Sequence, residues 1–181
     1  MVNRAYNTFV LKIKRVEYDC TVKINGRIRI FGQGKIEIGR NTRINSSLIA
    51  NPLGGMTYTL LCTKSKGRIT IGEHTGMSNC AIVSQTHVQI GSRCKIGGDV
   101  KIYDTDFHSI SFSERTNRET DIAKSKEIII EDDVFIGAHS IILKGVHVGS
   151  GAVIGAGSVV TKNIPANEVW GGNPVQFIKK M

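Results

Sequence analysis

Asp104, Asp106 and His108 stand at alternate positions in the stretch "IYDTDFHSI" (102–110). In an extended segment that spacing projects all three side chains to one side. Histidine changes charge near neutral pH, which makes His108 a natural general base. A neighbouring carboxylate can orient its ring, or the three groups can together ligate a cation. Plain loop polarity is the third reading. Asn79, in "MSNCAIV" (77–83), can donate to and accept from a hydroxyl, or it can fill a left-handed corner. Gly155, Ala156, Gly157 and Ser158 offer bare backbone to a slender ligand and suit a turn equally well. Among the other histidines, His74 and His147 read as solvated corner residues and His87 as an interface residue. His139 has open space over Gly157 and can flank a ligand.

The elements that must position these groups follow a six-residue period. Ile130, Ile136, Ile142, Val148, Ile154 and Val160 are all apolar and β-branched. Shorter runs obey the same rule: Ile24, Ile30, Ile36; Ile38, Ile44; Ile71, Met77, Val83; and Ile90, Ile96, Ile102. A helical period fits none of them, and glycines break strict alternation. Six residues make one short strand and a corner, and three such units close a triangular coil of about 18 residues. Ile136 then lies under Ile154, and Ile142 under Val160.

The period breaks twice. Residues 46–68 carry few anchors and read as an irregular or strand-forming coil. Residues 103–127 are polar and charged, and they read as a loop extruded from the stack. The expected organisation is one domain over residues 1–181. It has a cap at 1–20, a β-helix over 21–164 and a short C-terminal tail at 165–181.

The formal net charge of +9 admits a polyanion or a phosphorylated small molecule as partner. The basic residues are scattered, aromatics make up 6% of the chain, and no base-stacking motif occurs, so nucleic acid is not expected. No apolar run is long enough for a transmembrane helix, and the first residues lack a signal-peptide pattern, so a cytoplasmic protein is expected. Cys20, Cys62, Cys80 and Cys94 have no zinc spacing and read as buried small hydrophobes.

"IGAHSIILKGVHVGSGAVIGAGSVVTKNIP" followed by "GGNP", together with "IYDTDFHSI", resembles the hexapeptide-repeat acyltransferases. The subgroup is the maltose/galactoside and polysaccharide O-acetyltransferase-like branch, and the likeness runs from about residue 22 to the end. It implies an all-β fold, a left-handed parallel β-helix with an extruded active-site loop. It also implies a homotrimer with sites between subunits, acetyl-CoA as co-substrate and a sugar-like acceptor. By the same likeness His108 is the catalytic base, and Asn79 lies near the acceptor, where Asp104 and Asp106 are also expected. Ala138, Ala156, Thr161 and Lys162 match the positions along the pantetheine arm. Lys162, Lys179 and Lys180 can meet the phosphates. Where the family often has Trp before "IGA", this chain has Phe135.

Acyl transfer to a hydroxyl needs a base, an oxyanion donor and two substrates held together, and no metal. N-acetylation of an amino sugar or aminoglycoside-like acceptor uses the same base and is the near rival. A zinc carbonic anhydrase on the same solenoid, or a non-catalytic scaffold, is the more distant one.

Overall fold

The computed structural model describes residues 2–52, 55, 57–64 and 66–181. Its main body is a left-handed parallel β-helix. Among the described residues the strands form three sheets, the faces of a triangular prism. The first face stacks Glu17–Tyr18, Lys35–Ile38, Arg68–Ile71, His87–Ile90, Ile128–Ile130 and His147–Val148. The second runs from Lys23–Gly26 through Lys95–Gly98, Phe135–Ile136 and Val153–Ile154 to Glu168–Gly171. The third runs from Arg29–Phe31 through Ala81–Ser84, Lys101–Tyr103 and Ile141–Leu143 to Val159–Val160.

The registers follow the 18-residue rule: Ile136 pairs with Ile154, and Ile142 with Val160. Every anchor from Ile130 to Val160 is fully buried. A fully buried Ile or Val contributes about 1.5–3 kcal/mol relative to exposure. The second inward position is filled by Val134, Ser140, Val146, Ala152, Ser158 and Ile164, all of them buried. Corners need a positive φ, which L residues rarely adopt, and the chain places polar residues or glycine there. Asn79 (φ +50°), Asp99 (+57°), His139 (+62°) and Gly157 (+70°) form one such column, between the second and third faces.

Two helices accompany the β-helix: α1 (Val2–Ile13) lies across the first coil, and α2 (Phe112–Arg115) sits in the extruded loop. The β-helix also reaches into the presumed cap, because Glu17–Tyr18 pairs with Glu37 and Ile38. The C-terminal tail, residues 165–181, is docked as strand. Val169 and Trp170 continue the second face beside Val153 and Ile154. The strand Gln176–Lys180 then returns antiparallel, so Lys179 lies opposite Val169. Within 46–68 the strand Leu60–Thr63 rejoins the third face, and residues 53, 54, 56 and 65 lie outside the described residues. His147 is in a strand rather than a corner, because it precedes the inward anchor Val148 and so faces out. Cys80 and Cys94 are buried, and burial pushes the Cys80 thiol up to about 12. Cys20 is exposed and Cys62 half-buried, the latter facing outward between inward Leu61 and Thr63.

Candidate active site

The extruded loop leaves the edge between the third and first faces. Its neck is a short antiparallel ladder. Thr105 bridges Ser125, the Asp106 N–H donates to the Lys124 carbonyl, and the Lys126 N–H donates to the Asp104 carbonyl. Phe107 has a φ of +65° and packs edge-on against Tyr103, with ring centroids 5.2 Å apart. The Lys64 ammonium lies 6.0 Å from the Phe107 ring. The residue before His108 is thereby tied to that edge of the prism.

His108 meets a carboxylate from the far side of the loop. Its Nδ1 lies 2.6 Å from Asp121 Oδ2, and the Ser109 N–H donates to Asp121 Oδ1 at 2.7 Å. These two bonds, that of His108 first, hold the Asp121 carboxyl below its ordinary range. The loop braces itself further on. Ser109 Oγ donates to Glu114 at 2.5 Å, and Arg115 donates to the Ser109 carbonyl at 2.9 Å. An ionised carboxylate on Nδ1 selects the tautomer with the proton there, which leaves Nε2 as a lone-pair base. The His108 side chain is 66% exposed.

The alternation that set Asp104 and Asp106 beside His108 does not survive folding. The three side chains have different partners, and a positive φ at Phe107 interrupts the extended backbone before His108. Asp104 is fully buried. Its carboxylate accepts from Ser84 Oγ, the Gln85 and Thr86 N–H groups and Thr86 Oγ1, all at 2.7–2.9 Å. That sates its acceptor sites and makes it a strut under the loop, not an acceptor-binding group. Asp106 pairs with Lys144 Nζ at 2.9 Å. Asp121, thirteen residues along in a polar loop, had no periodicity to reveal it as the partner of His108.

The other expected residues gather on a different edge, between the second and third faces. Asn79 is 1% exposed and lies under the segment that follows Ser46. Its Nδ2 donates to the Asn51 carbonyl at 3.2 Å, and its Oδ1 has no partner among the described residues. Asp99, one coil on, accepts from the Lys101 ammonium and lies 3.5 Å from His139 Nδ1. Burial pushes the Asp99 carboxyl up, but Lys101 and then His139 outweigh it, and the net shift is downward. The sequence reading did not single out Asp99 or Lys101. Ala138 is half-buried and Ala156 exposed on the same edge, and the space beside Gly157 is open. Thr161 and Lys162 follow the last strand of the third face and are exposed. The Lys162 ammonium lies 5.8 Å from the Trp170 ring. One chain therefore holds His108 on one edge and Ala138 and Ala156 on another.

Residues 127–162 match the model described as the hexapeptide repeat of succinyl-transferase. A Schizosaccharomyces pombe protein provisionally named acetyltransferase C18B11.09c is 38% identical over 103 residues, 57% of this chain and 48% of that protein. The 2,3,4,5-tetrahydropyridine-2,6-dicarboxylate N-acetyltransferase of Staphylococcus aureus is 53% identical over 53 residues, 29% of this chain and 22% of that enzyme. The chain thus matches less than half the length of these curated relatives. A crystal structure of galactoside acetyltransferase with coenzyme A superposes with a TM-score of 0.59 at 26% identity, covering 96% of this chain and 68% of that one. No helix among the described residues is long and apolar enough to cross a membrane. A six-residue period that closes into a three-faced prism, and the relatives that match parts of it, lead to one conclusion: the chain is similar to the hexapeptide-repeat acyltransferases.

Proposed function

We propose that the protein transfers the acetyl group of acetyl-CoA directly to a hydroxyl of a sugar or polysaccharide precursor, with His108 as general base. The observation that carries this reading is the His108–Asp121 pair at 2.6 Å on an extruded loop. The carboxylate keeps the proton on Nδ1, and Nε2 takes the acceptor's hydroxyl proton. The acceptor oxygen then forms its bond to the thioester carbonyl carbon. The carbon–sulfur bond breaks, and the departing sulfur recovers the proton from His108. No acyl-enzyme is needed.

The edge carrying Ala138 and Ala156 suits the thin pantetheine arm, because small side chains and the open space beside Gly157 leave backbone accessible. Lys162 and Lys179 are exposed cations for the phosphate end. The Asn79 Oδ1, without a partner among the described residues, is the group assigned to accept from a sugar hydroxyl. Because His108 and this edge are separated within one chain, the reading requires a homotrimer in which one subunit's His108 serves the edge of its neighbour.

The test is release of free CoA thiol from acetyl-CoA across a panel of sugars and nucleotide sugars. Parent protein releases thiol with at least one of them, and His108→Ala is slower by at least about 100-fold at unchanged CoA affinity. Full activity in His108→Ala overturns the reading. N-acetylation of an amino sugar is the second reading, favoured by the likeness to the staphylococcal N-acetyltransferase. Amino sugars in the same panel separate the two.

A further inference from the structure

The apolar side of α1 faces away from the protein. At 100° per residue Tyr6, Phe9 and Ile13 share one stripe, while the buried Asn7 and Leu11 lie roughly 150° around the helix. The helix is docked through Leu11, which lies in the hydrophobic core, and through polar groups beside it. Asn7 Nδ2 donates to the Gly26 carbonyl at 2.9 Å, the Ile28 N–H donates to Asn7 Oδ1 at 3.2 Å, and Lys14 reaches the Gly32 carbonyl. Phe9 is 63% exposed and Ile13 60%, and Phe31 on the neighbouring strand Arg29–Phe31 is 53% exposed. Together these side chains border a groove of about 260 Å³.

Cations ring the stripe. Residues 2–31 hold seven Lys or Arg (Arg4, Lys12, Lys14, Arg15, Lys23, Arg27, Arg29) against Glu17 and Asp19. Seven minus two gives +5 of the chain's +9. The Arg27 guanidinium stacks on Tyr6 at 5.2 Å, and Arg29 stacks on Tyr58 at 4.6 Å. Neither has a carboxylate within ion-pair distance among the described residues, and nor do Arg4, Lys12 and Arg15.

We propose that α1 and the strand beside it form a peripheral docking surface for an anionic lipid bilayer. An apolar stripe flanked by cations is what a helix lying in the headgroup layer requires. Phe9 and Ile13 enter the acyl boundary, and Lys12, Lys14, Arg27 and Arg29 meet the headgroups. A second copy pressed onto the same face brings like charges together, which opposes that occupant. A nucleic acid supplies the phosphates but no apolar phase for Phe9 and Ile13. The surface lies on the first coil, away from the loop that carries His108, so a bilayer can hold the protein without covering that loop.

The experiment is co-sedimentation of the full chain with vesicles of equal parts phosphatidylcholine and phosphatidylglycerol, and with vesicles of phosphatidylcholine alone. Binding is expected on the mixed vesicles, with loss in high salt, and little on phosphatidylcholine. The double variant Phe9→Ser/Ile13→Ser changes two exposed side chains. It is expected to bind the mixed vesicles at least about tenfold more weakly, with its light-scattering mass unchanged. Absence of binding to the mixed vesicles overturns the proposal, as does a double variant that binds like the parent. A fall in the variant's mass also overturns it, by showing that the stripe is a contact between copies.

Discussion

At the residue scale the proposed function turns on the proton on His108. Asp121 accepts the Nδ1–H and also the Ser109 N–H, so it is held in place independently of the ring. In the proposed reaction its role is to position His108 and to stabilise the ring once protonated. Asp121→Asn keeps the shape and removes the charge. We expect kcat to fall by about tenfold or more with little change in KM for acetyl-CoA. Asp121→Glu keeps the charge and should recover part of kcat; a glutamate variant no faster than the amide would mark Asp121 as a purely structural brace. Asp104 is the contrasting carboxylate. With four donors on it and none of its surface exposed, Asp104→Asn should show as a lower melting temperature before it shows in KM.

At the scale of the element, the coil corner decides what can be changed. A Cβ on Gly137 would lie 2.4 Å from the Ala156 backbone nitrogen on the next coil, and backbone cannot step aside. At Gly157 a Cβ meets nothing within 4 Å, but the φ of +70° disfavours it. Gly137→Ala should therefore cost about 1–3 kcal/mol through overpacking. Gly157→Ala should cost about 1–2 kcal/mol through its backbone conformation. Denaturant melts of the two variants check the order. Ala156 itself is exposed and its neighbour Gly157 has room, so Ala156→Trp should fold. It should raise KM for acetyl-CoA at least about tenfold, about 1.4 kcal/mol, while acceptor affinity changes little. Calorimetry showing normal CoA binding by folded Ala156→Trp would place the pantetheine arm elsewhere.

For the whole molecule, the proposed function needs assembly, because His108 and the Ala138–Ala156 edge are separated within one chain. Light scattering at micromolar concentration should give a trimer mass, and a monomer with full activity would contradict a shared site. Outside the site, ionic ladders on the prism faces set the acid limit. The Glu37 carboxyl is pulled down to about 2, by Lys35 first and Arg68 second. A depressed carboxyl adds stability that is complete above its unfolded pKa and is lost as pH falls through the folded one. The melting temperature should thus drop as pH falls from about 4.5 towards about 2, and Glu37→Gln should make that part of the curve shallower. An unchanged slope in the variant would remove Glu37 from the account.

The β-branched anchors from Ile130 to Val160 were enough to infer the prism, its 18-residue stacking and the extrusion of 103–127, because each rests on local spacing. His108 stood out as a candidate for the same reason: it is a histidine in a polar break of a regular pattern. Its partner was not. Alternation pointed to Asp104 and Asp106, but the extended backbone breaks at Phe107, where φ is positive, and it is Asp121 that meets His108. The run 165–181 read as a tail because Pro165 and Pro174 interrupt the pattern, yet its hydrogen bonds continue the second face. The outward stripe of α1 was equally hidden, since helical spacing shows that a stripe exists but not which way the helix is docked. Spacing along the chain therefore determined the coil. Tertiary structure alone decided which loop carboxylate meets His108 and which edge each candidate residue occupies, because those contacts join parts of the chain that no repeat relates.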